Sequence, residues 1–223
     1  MSRESGREHV LERIRAAYRG IAQMHDAGAA HDARVAAVDL PRLPDPQDFD
    51  DPAALFIDRA REVGVTVDQV ASVDAAAERA AAWCAGRGVR RAAVWETPAL
   101  APLMGRLVAA GVEVLSPGAP LDALARADVG ITGAEWGIAE TATLVLASAP
   151  DQPRLTSLLP PAHLALLRAD RIVPDLPALF ARCGPLPSAL TFITGPSRSA
   201  DIGLVPVLGA HGPTTVAVLL VGR

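Results

Sequence analysis

The residues with the most chemical potential in this chain sit in turns after residue 130. The best placed of them is TGPSRSADIG, Thr194 to Gly203. Gly195 lets backbone approach a ligand closely, and Pro196 stiffens the turn. Successive backbone N–H groups in such a turn can form a nest for an anion. Ser197 and Ser199 supply hydroxyls, and Arg198 has the planar fork that grips a carboxylate or phosphate through two bonds. Asp201 would orient a neighbouring donor or act as an acid–base group. His211 stands in GAHGP, between Ala210 and Gly212, and histidine is the usual proton carrier near neutral pH. Glu140 and Thr141 lie in GIAETATLVL, where the carboxylate would serve as nucleophile, base or binding group. The catalytic candidates are therefore Glu140, His211 and Asp201. The ligand-binding candidates are Thr141, Gly195, Ser197, Arg198, Ser199 and Gly212. Each also has a plainer explanation: a Ser- or Asp-capped turn, a solvated Arg, a structural His, a surface carboxylate. Trp136 is either a pocket wall or a core aromatic.

Composition removes several chemistries. All 21 basic residues are Arg. Schiff-base chemistry, a P-loop and a pyridoxal phosphate anchor all need a lysine and are excluded. The only cysteines, Cys84 and Cys183, are far apart, make no CxxC motif and cannot supply the four thiolates of an iron–sulfur cluster. The histidines His9, His25, His31 and His163 show no metal-ligand spacing. No intrinsic metal or cofactor is expected. A formal net charge of −4, without runs of like charge, gives no footprint for nucleic acid. The charged start, MSRESGREHVLERIR, lacks the apolar stretch of a signal peptide, and no apolar run is long enough to span a bilayer. A soluble, cytoplasmic protein is expected.

The elements that must position these turns follow from periodicity. Ser5 to Gln23 has helical spacing at Val10, Leu11, Ile14, Tyr18 and Ile21, with Ser5 and Glu8 as a capping box. Ala27 to Pro52, rich in Pro and Asp, reads as an extended linker or mobile loop. The first helix is then a detachable arm or an ordinary packed helix. Residues 1–51 form this N-terminal segment, and residues 52–223 form one α/β domain. Helices are predicted from Pro52 to Glu62, from Asp74 to Ala85 and from Pro98 to Gly111, with strands at Val65–Val70, Ala92–Trp95 and Val112–Leu115. This alternation predicts an open, mostly parallel sheet flanked by helices. Further strands are predicted at Val129–Ile131, Thr143–Ala147, Leu164–Arg168, Leu190–Thr194 and Val216–Val221, with a helix from Pro174 to Arg182. Parallel α/β sheets take ligands beyond their carboxyl ends. The turn after the strand Leu190–Thr194 is expected at such an end, with GAHGP and GIAET reaching the same edge.

Taken in order, GIAETATLVL, SLLP-x-x-H, ITGPSRSADI and GAHGP resemble the LUD domain of the lactate-utilisation protein C (LutC) family. The resemblance covers roughly Pro52 to Arg223 and is strongest from Val129 to Pro213. It implies a fold similar to the sugar-phosphate isomerase, CoA-transferase and folate-cycloligase group. It also implies a role beside LutA- and LutB-like partners in converting L-lactate to pyruvate, with the iron–sulfur clusters on a partner. Motif positions carried over are Gly137, Ala139, Glu140, Thr141, Pro160, His163, Gly195, Pro196, Ser197, Asp201, Ile202, His211, Gly212 and Pro213. The family usually has Gly after the ET pair, where this chain has Ala142. It usually has an acidic residue after the DI pair, where this chain has Gly203. With the residues read above, this points to a non-redox accessory or assembly subunit with a cleft for a small anionic ligand. A stand-alone enzyme acting on a CoA ester, sugar phosphate or folate through Glu140 or His211 is the rival reading. A purely structural partner with a vestigial pocket is a third reading. Convergence of Glu140, Ser197, Arg198 and His211 is the discriminating feature: if they are scattered, the binding and enzyme readings both weaken.

Overall fold

A computed structural model of the chain describes residues 49–200, 206–208 and 211–222. The helix predicted from Ser5 to Gln23 and most of the linker after it lie outside the described residues. So do Asp201 and Gly203. The predicted alternation appears where the described chain begins. Asp51 caps helix α1 (Pro52–Glu62) by accepting a hydrogen bond from the Ala54 N–H, and Pro52 fills the first helical position, where its missing N–H costs nothing. Strand β1 (Thr66–Val70) follows, then helix α2 (Val73–Gly86), capped by Ser72. Strand β2 (Arg91–Val94), helix α3 (Ala101–Ala109), strand β3 (Glu113–Leu115) and the short helix α4 (Leu121–Leu124) complete the first half. Helix α3 starts three residues later than predicted, after the turn that Pro98 opens.

The second half contributes β4 (Val129–Gly133), the hairpin β5 (Trp136–Ile138) and β6 (Thr143–Ala147), and the single turn of helix α5 (Leu155–Leu158). Strand β7 (Ala162–Arg168), a 3₁₀ turn at Ala169–Arg171, β8 (Ile172–Val173) and helix α6 (Leu176–Arg182) follow. The last strands are β9 (Leu190–Ile193), the small antiparallel pair β10 (Arg198–Ala200) and β11 (Pro206–Leu208), and β12 (Thr215–Val221).

The main sheet has six parallel strands in the order β1-β12-β7-β4-β2-β3. Its central strands read as nearly unbroken apolar runs, LALLR in β7 and VAVLLV in β12, because both faces are covered. Phe56, Leu103, Leu107, Ile131, Leu164, Leu167, Leu219 and Leu220 are buried in one core beneath the helices.

A second sheet, of order β8-β5-β6-β9, was not foreseen in the sequence. The strands predicted at Thr143–Ala147 and Leu190–Thr194 belong to it and pair antiparallel to each other. Leu144 and Leu146 join the main core, while Ile138 and Val145 pack with Ala178 and Leu179 of α6 in a smaller cluster. No helix among the described residues is long and apolar enough to cross a membrane.

Candidate functional site

The turns TGPSR and HGP come together, though not where the parallel-sheet rule predicted. The turn after β9 leaves the second sheet, so it does not cap a carboxyl end of the main one. It packs instead over the amino ends of β1, β12 and β7. Val63 precedes β1, Pro213 precedes β12, and Ser157 with Leu158 precedes β7. All of these border one cleft with Thr194, Gly195, Ser197, Arg198 and His211. The cleft encloses about 380 Å³.

Each turn is fixed by the other. The Ser197 N–H donates to the Pro213 carbonyl at 2.8 Å, and the His211 N–H reaches the Ser197 hydroxyl oxygen at 3.4 Å. Thr214 donates from both its N–H and its hydroxyl to the Pro161 carbonyl, which ties the second turn to the start of β7. Gly195 has φ +80°, and a Cβ there would stand 2.9 Å from the Val63 carbonyl oxygen. Only glycine meets both demands.

Arg198 is exposed and donates to the Val63 carbonyl at 3.1 Å. This places a guanidinium at the carboxyl end of α1, where the helix dipole favours positive charge. Arg198, Ser197 and His211 therefore border the same cleft. The hydroxyl of Ser197 meets the backbone amide of His211 and not its ring, so the pair has the form of a binding turn. A nucleophile activated by a base needs the imidazole itself on the hydroxyl.

Thr194 joins the cleft to the GIAET hairpin. Its hydroxyl is 2.6 Å from that of Thr143, which is 2.7 Å from that of Thr141. Thr141 thus reaches the cleft through two threonine hydroxyls without bordering it. Glu140 does not border it either. Its side chain is exposed in the turn between β5 and β6, its N–H donates to the Pro174 carbonyl, and its charge acts on Arg59 of α1. Gly212 packs on Ser197. The side chain of Ser199 and all of Asp201 lie outside what the structure describes.

Sequence reasoning passed over Ser157 and Thr194, although both lie in motifs it singled out. Ser157 is buried, and its hydroxyl donates to the Arg154 carbonyl at 3.0 Å. His163, a motif position, is wholly buried in β7, in register between Gly130 of β4 and Val216 of β12. Its Nε2 shares a hydrogen bond of 2.8 Å with the Thr132 hydroxyl, and its Nδ1 has no partner among the described residues. Burial pushes its pKa down to about 4, so the ring is neutral at physiological pH. Cys84 is buried and Cys183 half-buried, both are free thiols, and burial raises the Cys84 pKa to about 11. Among the described residues no group of three or more His, Cys, Asp or Glu side chains is placed to hold a metal ion.

Residues 53–221 match the family model described as LUD domain. A crystal structure of a DUF162 family protein from Deinococcus radiodurans is similar with a TM-score of 0.56 and 30% identity, covering 77% of this chain and 96% of that one. Among curated proteins, lactate utilization protein C of an Exiguobacterium species is 38% identical over 112 residues, which is 47% of this chain and 49% of that protein. Lactate utilization protein C of Bacillus subtilis is 41% identical over 103 residues, 43% of each. The chain spans about half the length of the curated relatives it matches, or somewhat less.

Proposed function

The chain belongs to the LUD domain family, and from that premise we propose that it serves lactate utilisation as a non-redox accessory protein with an anion-binding cleft. The name shared by the curated relatives supports the pathway. The single observation that carries the binding reading is the mutual packing of the turns at Ser197 and His211. That packing supports the reading because Ser197, Arg198 and His211 then border one cleft of about 380 Å³. A small carboxylate or phosphate suits that set. Redox chemistry then belongs to cluster-bearing partners of the LutA and LutB kind. The enzyme reading through Glu140 is the weaker one, because Glu140 does not border the cleft that His211 lines.

Two assays test this. Deleting the chain from a host with no second lactate route should abolish growth on L-lactate and spare growth on pyruvate. In the purified protein, Arg198→Ala should remove most of the rise in melting temperature that inorganic phosphate gives. A charge-assisted contact of this kind contributes about 1.5–3 kcal/mol. His211→Ala should lower the phosphate effect less than Arg198→Ala does, and it should impair growth on lactate more than binding if His211 is an acid–base group. If both variants match the wild type in both assays, the cleft has no such role.

A further inference from the structure

At the opposite end of the main sheet a second cavity, of about 240 Å³, opens where the strand order reverses. From β2 the chain crosses outward to β3, whereas from β4 it moves the other way, toward β7. Such a reversal leaves a crevice between the carboxyl ends of neighbouring strands, the usual ligand position in open α/β sheets. Here Trp95 follows β2, Gly133 closes β4 and Arg168 ends β7, and all three border the cavity. None of them borders the cleft at Ser197.

The charged groups in the crevice are arranged unequally. Arg168 is committed, with two hydrogen bonds to Asp170 at 2.9 and 2.5 Å. Arg171 is not. Its guanidinium lies 4.8 Å from the centre of the Trp136 ring, which holds it in place. Its distance to Glu135 is 3.8 Å, at the outer limit of an ion pair. A steadied guanidinium beside a carboxylate it does not close on is free to donate to an incoming anion. Glu135, also on the cavity wall, would accept a hydrogen bond from the same molecule. The Trp95 indole N–H is already engaged by the Pro153 carbonyl at 3.1 Å, so this side chain contributes an apolar wall.

We propose that the crevice binds a small carboxylic acid bearing a hydroxyl, with its carboxylate on Arg171 and its hydroxyl on Glu135. The volume lies below the range that holds drug-sized ligands, so the occupant has few heavy atoms. The acidic neighbour sets its charge. A phosphate dianion beside Glu135 meets like-charge repulsion, whereas a monoanion that also donates a hydrogen bond satisfies both groups. The inference goes beyond the cleft reading and rests on different residues.

The three tryptophans make the test direct. In the ¹⁵N-labelled full chain, the indole N–H signals of Trp95 and Trp136 report on the crevice. Trp83, in α2 beneath Arg87, borders no part of it. Titration with glycolate and L-lactate should move the Trp95 and Trp136 signals along one saturation curve and leave Trp83 still. Acetate and inorganic phosphate should bind more weakly. Arg171→Gln should weaken glycolate binding about tenfold or more. Glu135→Gln should erase the preference for glycolate over acetate. Arg198→Ala should change nothing here, so failure of the cleft reading and failure of this one remain distinct. The proposal is overturned if no carboxylate moves both signals saturably. A phosphate that moves the Trp95 and Trp136 signals at lower concentration than glycolate does, or an Arg171→Gln variant whose signals respond like those of the wild type, also overturns it.

Discussion

Ala142 holds a backbone conformation that most residues avoid. Its φ is +52°, and its side chain is buried in the hairpin turn that presents Thr141 and Thr143. For an L-residue the left-handed region costs roughly 1–2 kcal/mol. This accounts for the glycine that the family pattern places here. The methyl group regains part of that cost through burial, at about 0.8 kcal/mol per carbon. Ala142→Gly is therefore expected to leave stability unchanged or raise it by up to about 1 kcal/mol. Ala142→Val adds β-branching at positive φ in a filled core and should cost about 2–4 kcal/mol. Urea midpoints of the two variants check this. A glycine variant clearly less stable than the wild type would show that the alanine methyl outweighs the strain. The departure from the family pattern was visible in the sequence, but its meaning required the dihedral angle.

Helix α5 is a single turn, yet it sets one wall of the cleft through Ser157 and Leu158. Its seat is Gly130 of β4, where a Cβ would stand 1.7 Å from the Thr156 carbonyl oxygen. Backbone cannot yield that far locally. Gly130→Ala should either unfold the domain or displace α5, with a loss of at least about 3 kcal/mol by thermal or urea unfolding and of phosphate binding at the cleft. A variant that keeps wild-type stability would mean that α5 is loosely seated. At this scale the first half of the domain was legible, because the capped helices α1 and α2 alternate with the short apolar runs of β2 and β3. The second sheet was not. Strands β5 and β8 have three and two residues, too few for any period to register. The strand Leu190–Ile193 was recognised, but a strand's pattern does not name its partner. Its pairing with β6 carried the TGPSR turn to the amino ends of the main sheet. The residues of that turn were legible as chemistry, since their types declare it. Glu135 and Arg171, far apart in the chain, gave no local signal at all.

For the molecule as a whole, His163 ties stability to pH. Burial alone lowers its pKa to about 4, against a value near 6.5 when the chain is unfolded. Between these values the unfolded state binds the proton and the folded state does not. The folded state is therefore progressively disfavoured as pH falls from about 6.5 toward 4, by about 1.4 kcal/mol per pH unit at the steepest. Urea unfolding across that window should show this slope, and His163→Gln should flatten it whatever it does to absolute stability. An unchanged slope would place the titration elsewhere. The same strand has a further consequence. Strand β7 leaves the rim where Pro161 and Thr214 meet and ends at Arg168, on the wall of the crevice. Seven residues of extended chain separate the two openings by roughly 20 Å. A large protein docked across the amino rim would leave the opposite rim bathed in solvent. A metabolite would still enter and leave there while the assembly stayed closed.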